Sequence, residues 1–367
     1  MPMADLHVLM TTDTVGGVWQ YSIDLARELT ASGHTVTLAV LGPAPDPAQK
    51  RAAEAMNGLE LVHTGQPIDW LCDNAVEVEE AAQAIAALAR SCRADLVHCN
   101  MPTLAGAARF PVPVLAVTHG CVATWWQAAR DEPLDPGYRW HRDLMRRGLA
   151  AADAVAAPSA SYAATIRDTY RLPRMPLVVH NGRHLPQRAA MGERLDAALT
   201  VGRMWDSVKN AALLDEVAGA IDIPFYAAGA LRGPHGEEAA PVHLRPLGHL
   251  PDEVLGSWLA QQPVFASAAT FEPFGLAVLE AAAAGCALVL SDIGTFRELW
   301  DGAALFARPD DASGFADAIG RLQSDAALRE RMGQAAQQRA RRYTPARMAG
   351  SVAAIYRQML AGEEAAA

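Results

Sequence analysis

The chain of 367 residues is poor in several features that would otherwise assign it a class. It has five cysteines, at positions 72, 92, 99, 121 and 286, and no C-x-x-C pair. An odd set without that spacing offers neither a disulfide framework nor a zinc site, so free thiols in a reducing compartment are expected. No apolar run approaches the length of a membrane span, and the first residues lack the basic stretch of a secretory signal. Positive charge is also scarce. The 31 Lys and Arg against 41 Asp and Glu give a net charge of −10, which argues against a nucleic-acid partner. A G-x-G-x-x-G fingerprint is missing, which removes the main support for a nicotinamide or flavin dinucleotide. With 51% hydrophobic and 20% charged residues, a globular cytoplasmic protein long enough for two domains is expected.

One stretch organises what is present. Pro263 to Ser267 is apolar, and small residues then lead to Glu272-Pro273-Phe274-Gly275. Leu276 to Ala284 is apolar again, Gly285 breaks it, and Cys286 to Leu290 runs into Ser291-Asp292. The pattern reads as strand, loop, helix, strand, with Pro273 just inside the helix start and Gly285 past its end. Glu272 then lies at the carboxyl end of a strand, where open α/β sheets place ligands. Glu280 is the only charged residue between Glu272 and Asp292, so it is expected buried or half-buried and in need of a partner. Counted from Pro273, it lies nearly two turns below the helix's first residue. No basic residue lies one turn away. Two readings stay open: a ligand satisfying the carboxylates together with the amides of Phe274, Gly275 and Leu276, or an arginine distant in sequence.

The first half opens as a Rossmann-like unit. Leu6 to Met10 reads as a strand, a loop carries Gly16 and Gly17, a helix follows from about Tyr21 to Ser32, and Thr35 to Leu41 is a second strand. Adjacent glycines let backbone approach a ligand closely. Gly42 to Lys50 reads as a loop. Further strands are expected at Leu59–His63, Asp95–Cys99, Val114–Thr118, Ala154–Pro158 and Leu177–Val179, with helices at Val78–Arg90, Ala105–Phe110 and Tyr162–Tyr170. His119 ends the strand Val114–Thr118. Cys121 to Arg147 mixes aromatic and polar residues near a strand end, a combination that suits a sugar acceptor because ring faces stack on sugar CH surfaces, and Trp125, Trp126 and Arg130 are its candidates for that contact. Equally, its aromatics belong to the core with Trp140 and Leu144. Arg139, His141, Arg142, Arg146 and Arg147 could form a basic helical face toward an anionic membrane surface.

His180-Asn181-Gly182 and residues 183–195 read as a linker. Beyond it, Ala198 to Val201 is a strand, followed by a loop that carries Arg203 and Lys209 and then a helix to about Ala220. Two cations on one loop can bracket a diphosphate, one as a fork and one as a point charge, or simply flank a solvated turn. Ile223 to Ala228 is a strand, Val242 to Leu247 leads to the turn Gly248-His249-Leu250-Pro251, and Asp252 to Ala260 is a helix. Ile293 to Trp300 reads as a turn and Ala303 to Phe306 as a short strand. Helices are expected at Ala312–Gln323, Ala326–Arg342 and Arg347–Leu360.

Gly16-Gly17, the Gly202-Arg203 to Lys209-Asn210 element, and Glu272 with Glu280 eight positions on come in the order of one family. With Pro-Phe-Gly-Leu after the first glutamate, the chain resembles retaining GT-B glycosyltransferases of family 4 over nearly its whole length. The resemblance implies an α/β fold of GT-B architecture, two Rossmann-like domains facing a central cleft. Residues 1–182 would be the acceptor domain, with helix 345–361 packing back on it, and residues 196–344 the donor domain. It further implies sugar transfer from a UDP- or GDP-type nucleotide sugar to an acceptor hydroxyl, with retention, in glycan, glycolipid or small-glycoside synthesis. Gly16 and Gly17 would approach the donor's phosphate and sugar. Arg203, Lys209 and the amides at Phe274, Gly275 and Leu276 would hold the diphosphate. Glu272 would hold sugar hydroxyls, Glu280 the ribose diol, Leu250 the base through its backbone, and His119 the sugar beside the reacting carbon. The catalytic set is His119, Glu272, Arg203 and Lys209.

No D-x-D motif occurs, and cations can replace a divalent ion, so neither a metal nor another cofactor is expected. A glycoside hydrolase also uses paired carboxylates but has no need of the diphosphate clamp. A non-catalytic protein of this fold that binds sugar or nucleotide is the alternative. The expected partners are the nucleotide sugar and a hydroxyl acceptor, with peripheral contact at the inner face of the membrane.

Overall fold

The computed structural model describes residues 5–184 and 194–364. The chain divides into two compact units, Met1–Gly182 with Pro345–Ala367, and Arg183–Thr344. Residues 185–193 of the expected linker lie outside the described residues, and Arg183 belongs to the second unit.

The first unit runs β1 (His7–Asp13), α1 (Gly17–Ala31), β2 (Thr35–Leu41), α2 (Pro47–Glu54), β3 (Leu59–His63), α3 (Ala75–Ser91) and β4 (Leu96–Cys99). It continues α4 (Thr103–Ala107), β5 (Val114–Val117), α5 (Val122–Ala129), α6 (Arg139–Ala151), β6 (Ala154–Ala157), α7 (Ala160–Tyr170) and β7 (Leu177–Val178). The strands pair in parallel in the order β3-β2-β1-β4-β5-β6-β7. Strands apolar on both faces require helices on both, and successive residues divide accordingly. Val8 and Met10 join the core built with Leu25 and Leu29 of α1, whereas Leu9 joins Ala81 and Ile85 of α3. Strand order reverses between β1 and β4, so the loops after them diverge and leave a crevice at their carboxyl ends.

The second unit repeats the scheme with β8 (Ala198–Val201), α8 (Ala211–Ala220), β9 (Phe225–Ala228), β10 (Arg245–Gly248), α9 (Asp252–Ala260) and β11 (Val264–Ser267). Then come α10 (Leu276–Ala284), β12 (Leu288–Ser291), α11 (Gly294–Trp300), β13 (Leu305–Ala307), α12 (Ala312–Ser324) and α13 (Ala326–Ala340). Its parallel sheet has the order β10-β9-β8-β11-β12-β13, with the reversal between β8 and β11. The last helix, α14 (Pro345–Glu364), returns to the first unit. It buries Met348, Val352, Ile355 and Tyr356 in the core that contains α1.

Several elements differ from the sequence expectation. Helix α1 begins at Gly17, with Gly16 as its cap, so the paired glycines form a helix start and not a free loop. Trp19, Ser22, Ile23, Ala26 and Leu29 already repeat at helical spacing, and the first amides of a helix lack an intrahelical partner whatever the residue. Within the expected loop at 42–50, Asp46 accepts from the amides of Ala48 and Gln49 while the Gln49 side chain accepts from the Asp46 amide. That capping box, with Pro47 at the first position, starts α2.

Helix α10 begins at Leu276, not at Pro273, because Gly275 adopts φ +92 and cannot be part of a right-handed helix. Glu280 is therefore one turn into the helix, on the face of Leu276. The expected turn at 293–300 is helix α11, whose Phe296, Leu299 and Trp300 are buried. On α6, His141 is buried and lies 3.2 Å from Asp69, so it drops out of the expected basic face. Burial works to raise the Asp69 carboxyl, but the His141 imidazole and the 2.7 Å bond from Thr103 outweigh it and hold the group below its usual range. Arg139, Arg142, Arg146 and Arg147 remain exposed.

Candidate active site

The second unit gathers charged side chains at its sheet reversal. The loop after β8 carries Arg203, Asp206 and Lys209, and the loop after β11 carries Glu272. Neighbouring parallel strands bring these loops together, and backbone bonds fix them. The Thr270 amide donates to the Val208 carbonyl at 2.9 Å, and Asn210 Nδ2 donates to the carbonyls of Ala268 at 3.2 Å and Pro309 at 2.7 Å. Lys209 Nζ donates to Glu272 Oε2 at 2.5 Å, both side chains being about one-fifth exposed or less. Arg203 Nη2 donates to Asp206 Oδ2 at 2.8 Å, and its guanidinium lies 5.4 Å from the Trp205 ring centre. Asp206 is buried and also accepts from the Val208 amide, so its position is set by the backbone.

Neither cation is exhausted by its carboxylate. A lysine ammonium has three donors and a guanidinium five, which leaves hydrogens on both for further oxygens. The N-terminus of α10 adds first-turn amides and the positive end of the helix dipole beside Glu272. A Cβ at Gly275 would stand 3.2 Å from Phe296 and 3.3 Å from the Glu272 side chain, in a backbone conformation that other residues rarely adopt. Glycine there keeps Glu272 in place. The loop can hold a doubly charged anion against two cations and a helix start.

The partner of Glu280 is distant in sequence. Arg183 Nε donates to Glu280 Oε1 at 2.6 Å, and Arg183 Nη2 donates to Asp252 Oδ2 at 2.7 Å. The 97-residue separation explains why local spacing could not reveal it. Of the two readings left open by the sequence, the arginine is realised. Leu250 is half-buried, just ahead of Pro251, the cap of α9.

In the first unit, His119 follows β5 and packs on Tyr21 of α1, ring centres 4.4 Å apart. Its Nε2 lies 2.8 Å from Asn100 Oδ1, and burial pushes the imidazole down to about 3. His98, on β4 and fully buried, is also pushed down to about 3, by burial first and by the neighbouring His119 second. Gly16 and Gly17 start α1 nearby in the fold, after β1. The acceptor candidates divide. Trp126 is held by the loop, its Nε1 donating to the Glu132 carbonyl at 3.0 Å and its ring 6.0 Å from Tyr138. Trp125 is half-buried, with exposed Arg130 5.5 Å above its ring. The sequence reading did not single out Asn100, His98, Asp206 or Arg183. The first two stand at the end of an apolar strand, as His119 does, and that position was their available signal.

Two consecutive family profiles match this chain. Residues 15–185 match Glycosyltransferase Family 4, and residues 196–325 match Glycosyl transferases group 1. The chain belongs to glycosyltransferase family 4. Among curated relatives of this family-4 chain, the phosphatidyl-myo-inositol mannosyltransferase of Mycobacterium tuberculosis is 32% identical over 228 residues. The match covers 58% of this chain and 57% of that protein, so the chain spans little more than half of the relative's length. Sucrose-phosphate synthase from Thermosynechococcus elongatus superposes with a TM-score of 0.77 at 18% identity, over 97% of this chain and 100% of that one. HepE of Anabaena, solved in complex with UDP and glucose, gives 0.72 at 18% identity, over 96% and 100%. The family-4 chain thus has the GT-B fold, two Rossmann-like units with parallel sheets. Among the described residues, no helix is long and apolar enough to cross a membrane.

Proposed function

We propose that the protein transfers a sugar from a nucleotide-diphosphate sugar, of UDP or GDP type, to an acceptor hydroxyl with retention at the anomeric carbon. The observation that carries this reading is the Arg203, Lys209 and Glu272 cluster at the β8/β11 reversal, beside the start of α10. Cleavage of the glycosyl–phosphate bond leaves a diphosphate whose growing charge is met by donors already in place. Arg203, Lys209 and the amides of Gly275 and Leu276 fill that role, so no divalent ion is required. Glu272 accepts from sugar hydroxyls while remaining paired to Lys209, Glu280 takes the ribose diol, and Leu250 lies by the base. We assign His119 to the transferred sugar. The acceptor oxygen attacks the anomeric carbon on the face from which the diphosphate leaves, and its proton passes to the departing phosphate oxygen. No covalent enzyme intermediate forms.

HepE's complex with UDP and glucose supports a nucleotide-sugar donor of this kind. The mannosyltransferase relative, by its name, acts on a phosphatidylinositol, and the exposed Arg139, Arg142, Arg146 and Arg147 of α6 would favour an anionic lipid surface on the cytoplasmic side. The test is thermal stability with UDP, GDP and ADP, each with and without EDTA. Bound nucleotide at a hundredfold excess over its dissociation constant should stabilise by about 2.7 kcal/mol. A shift with one nucleotide, unaffected by EDTA and lost in Lys209→Ala, supports the reading. No shift with any sinks the nucleotide site, and binding without turnover of the matching sugar donor leaves a binding protein.

A further inference from the structure

The side chains behind His119 settle which of its nitrogens carries the proton. Asn100 lies one residue past β4 and is buried. Its Nδ2 donates to the Thr11 carbonyl at 2.8 Å and to Ser22 Oγ at 3.2 Å, and its backbone amide donates to Thr11 Oγ1 at 2.9 Å. A carbonyl only accepts, so the amide nitrogen of Asn100 must face it and the amide oxygen must face the other way. That oxygen meets two histidines, His119 Nε2 at 2.8 Å and His98 Nε2 at 3.2 Å. An amide oxygen only accepts as well, so both ring nitrogens are protonated.

The remaining contacts agree. His98 Nδ1 lies 2.7 Å from the Tyr356 hydroxyl, which donates to it, while the Tyr21 oxygen, 3.2 Å from His98 Nε2, shares that proton. The titratable groups around His119 are Tyr21 of α1, His98 of β4, Tyr356 of α14 beyond His98, and the Cys121 thiol two positions along. Cys121 is itself bonded to the hydroxyls of Thr124 and Tyr170. Burial pushes Tyr21 and Tyr356 up and both histidines down, so the network is neutral near neutral pH.

We propose that Asn100 is a positioning residue that fixes His119 as the Nε2–H tautomer, presenting a bare Nδ1 that accepts a hydrogen bond from a hydroxyl of the transferred sugar. The proposal rests on the assignment of His119 to that sugar. It also gives a substrate class: a neutral hydroxyl-bearing sugar at this position is accepted, whereas a carboxylate there would meet a lone pair.

The test is nitrogen-15 NMR of the full chain labelled at histidine, with the His119 signals assigned by their loss in His119→Gln. The wild type should show a bare Nδ1 and a protonated Nε2 on His119, with no titration between about pH 8 and 5. An Nδ1–H tautomer, or titration of His119 within that range, would overturn the proposal. Asn100→Asp places a carboxylate against the ring, so His119 should then titrate within the range and add an acid limb to the turnover profile. Turnover is read as hydrolysis of UDP-glucose, GDP-mannose and ADP-glucose. In Asn100→Ala, kcat for the donor that the wild type uses should fall about tenfold with KM within about twofold, the scale of one lost hydrogen bond. An unchanged kcat in a variant whose tautomer has shifted would refute the positioning role. Nucleotide-induced thermal shifts, measured on the same samples, separate the two readings. Their absence in the wild type removes the proposed function while leaving the tautomer result standing, and a wrong tautomer leaves nucleotide binding untouched.

Discussion

The polar clusters at the two sheet reversals are built from opposite materials. In the first unit, buried His98, Asn100, Tyr21 and Tyr356 and half-buried His119 are uncharged and bonded to one another. In the second, Arg203 with Asp206 and Lys209 with Glu272 are ion pairs on partly open loops, while Arg183 pairs with Glu280 of α10 and Asp252 at the start of α9. A neutral network inside a core is geometrically definite, because a misplaced proton leaves a buried group unsatisfied. Ion pairs at a loop surface are less particular about geometry and more available to exchange partners with an incoming anion. The first cluster is suited to orienting a ligand, the second to taking up charge.

The contrast can be broken most forcefully at Lys209. If the second cluster takes up charge, Lys209→Ala should abolish the nucleotide-induced thermal shift and lower donor turnover by about 10²–10³-fold, the usual scale for losing one preorganised charge-stabilising donor. Calorimetry and hydrolysis kinetics read both effects.

Acid should single out the first cluster. His98 has a folded-state value lowered from 6.5 to about 3, so its neutral form is favoured by folding. The stability this contributes is fully present above about pH 6.5 and is lost as pH falls toward 3. Between pH 7 and 4 the loss should be about 3 kcal/mol. Urea titrations across that range check it, and His98→Leu should start from lower stability but show a shallower slope.

A smaller effect sharpens the comparison from the backbone side. Gly229 follows β9 at φ +134, and a Cβ there would stand 1.7 Å from the Gly202 carbonyl oxygen, next to Arg203. Gly229→Ala should destabilise the second unit by about 1–3 kcal/mol and weaken nucleotide binding, leaving the His119 resonances in place. The smallest expected effect is that of salt. Raising ionic strength from about 0.05 to about 0.5 M should weaken nucleotide affinity several-fold while leaving the histidine signals of the first unit unmoved.

Continuous apolar runs made the sheets legible. The strand before His119 and the strand before Glu272 were readable because parallel strands buried on both faces leave no polar interruption. Arg203, Lys209 and Glu272 stood out because charged residues just past such strands have few structural reasons to be there. Two kinds of feature stayed hidden. Helix starts were displaced wherever a local signal outranked composition, as with Asp46 and Gln49 at α2 or the left-handed Gly275 at α10. Partners distant along the chain left no local trace. Nothing near Glu280 points to Arg183, and nothing near His98 points to Tyr356, 258 positions on.

That last separation bears on how the protein is made. Among the described elements, the helix that carries Tyr356 is the last in chain order, yet it completes a core that includes the first strand. Until then, the faces of α1 that receive Met348, Val352 and Ile355 have nothing to cover them, and His98 lacks the hydroxyl that sets its proton. The second unit has no such dependence and can fold as soon as its own residues are out. Completion of the first unit therefore waits for residues made after the whole of the second unit, and the hydroxyl that orients His98 is among the last contacts that unit gains.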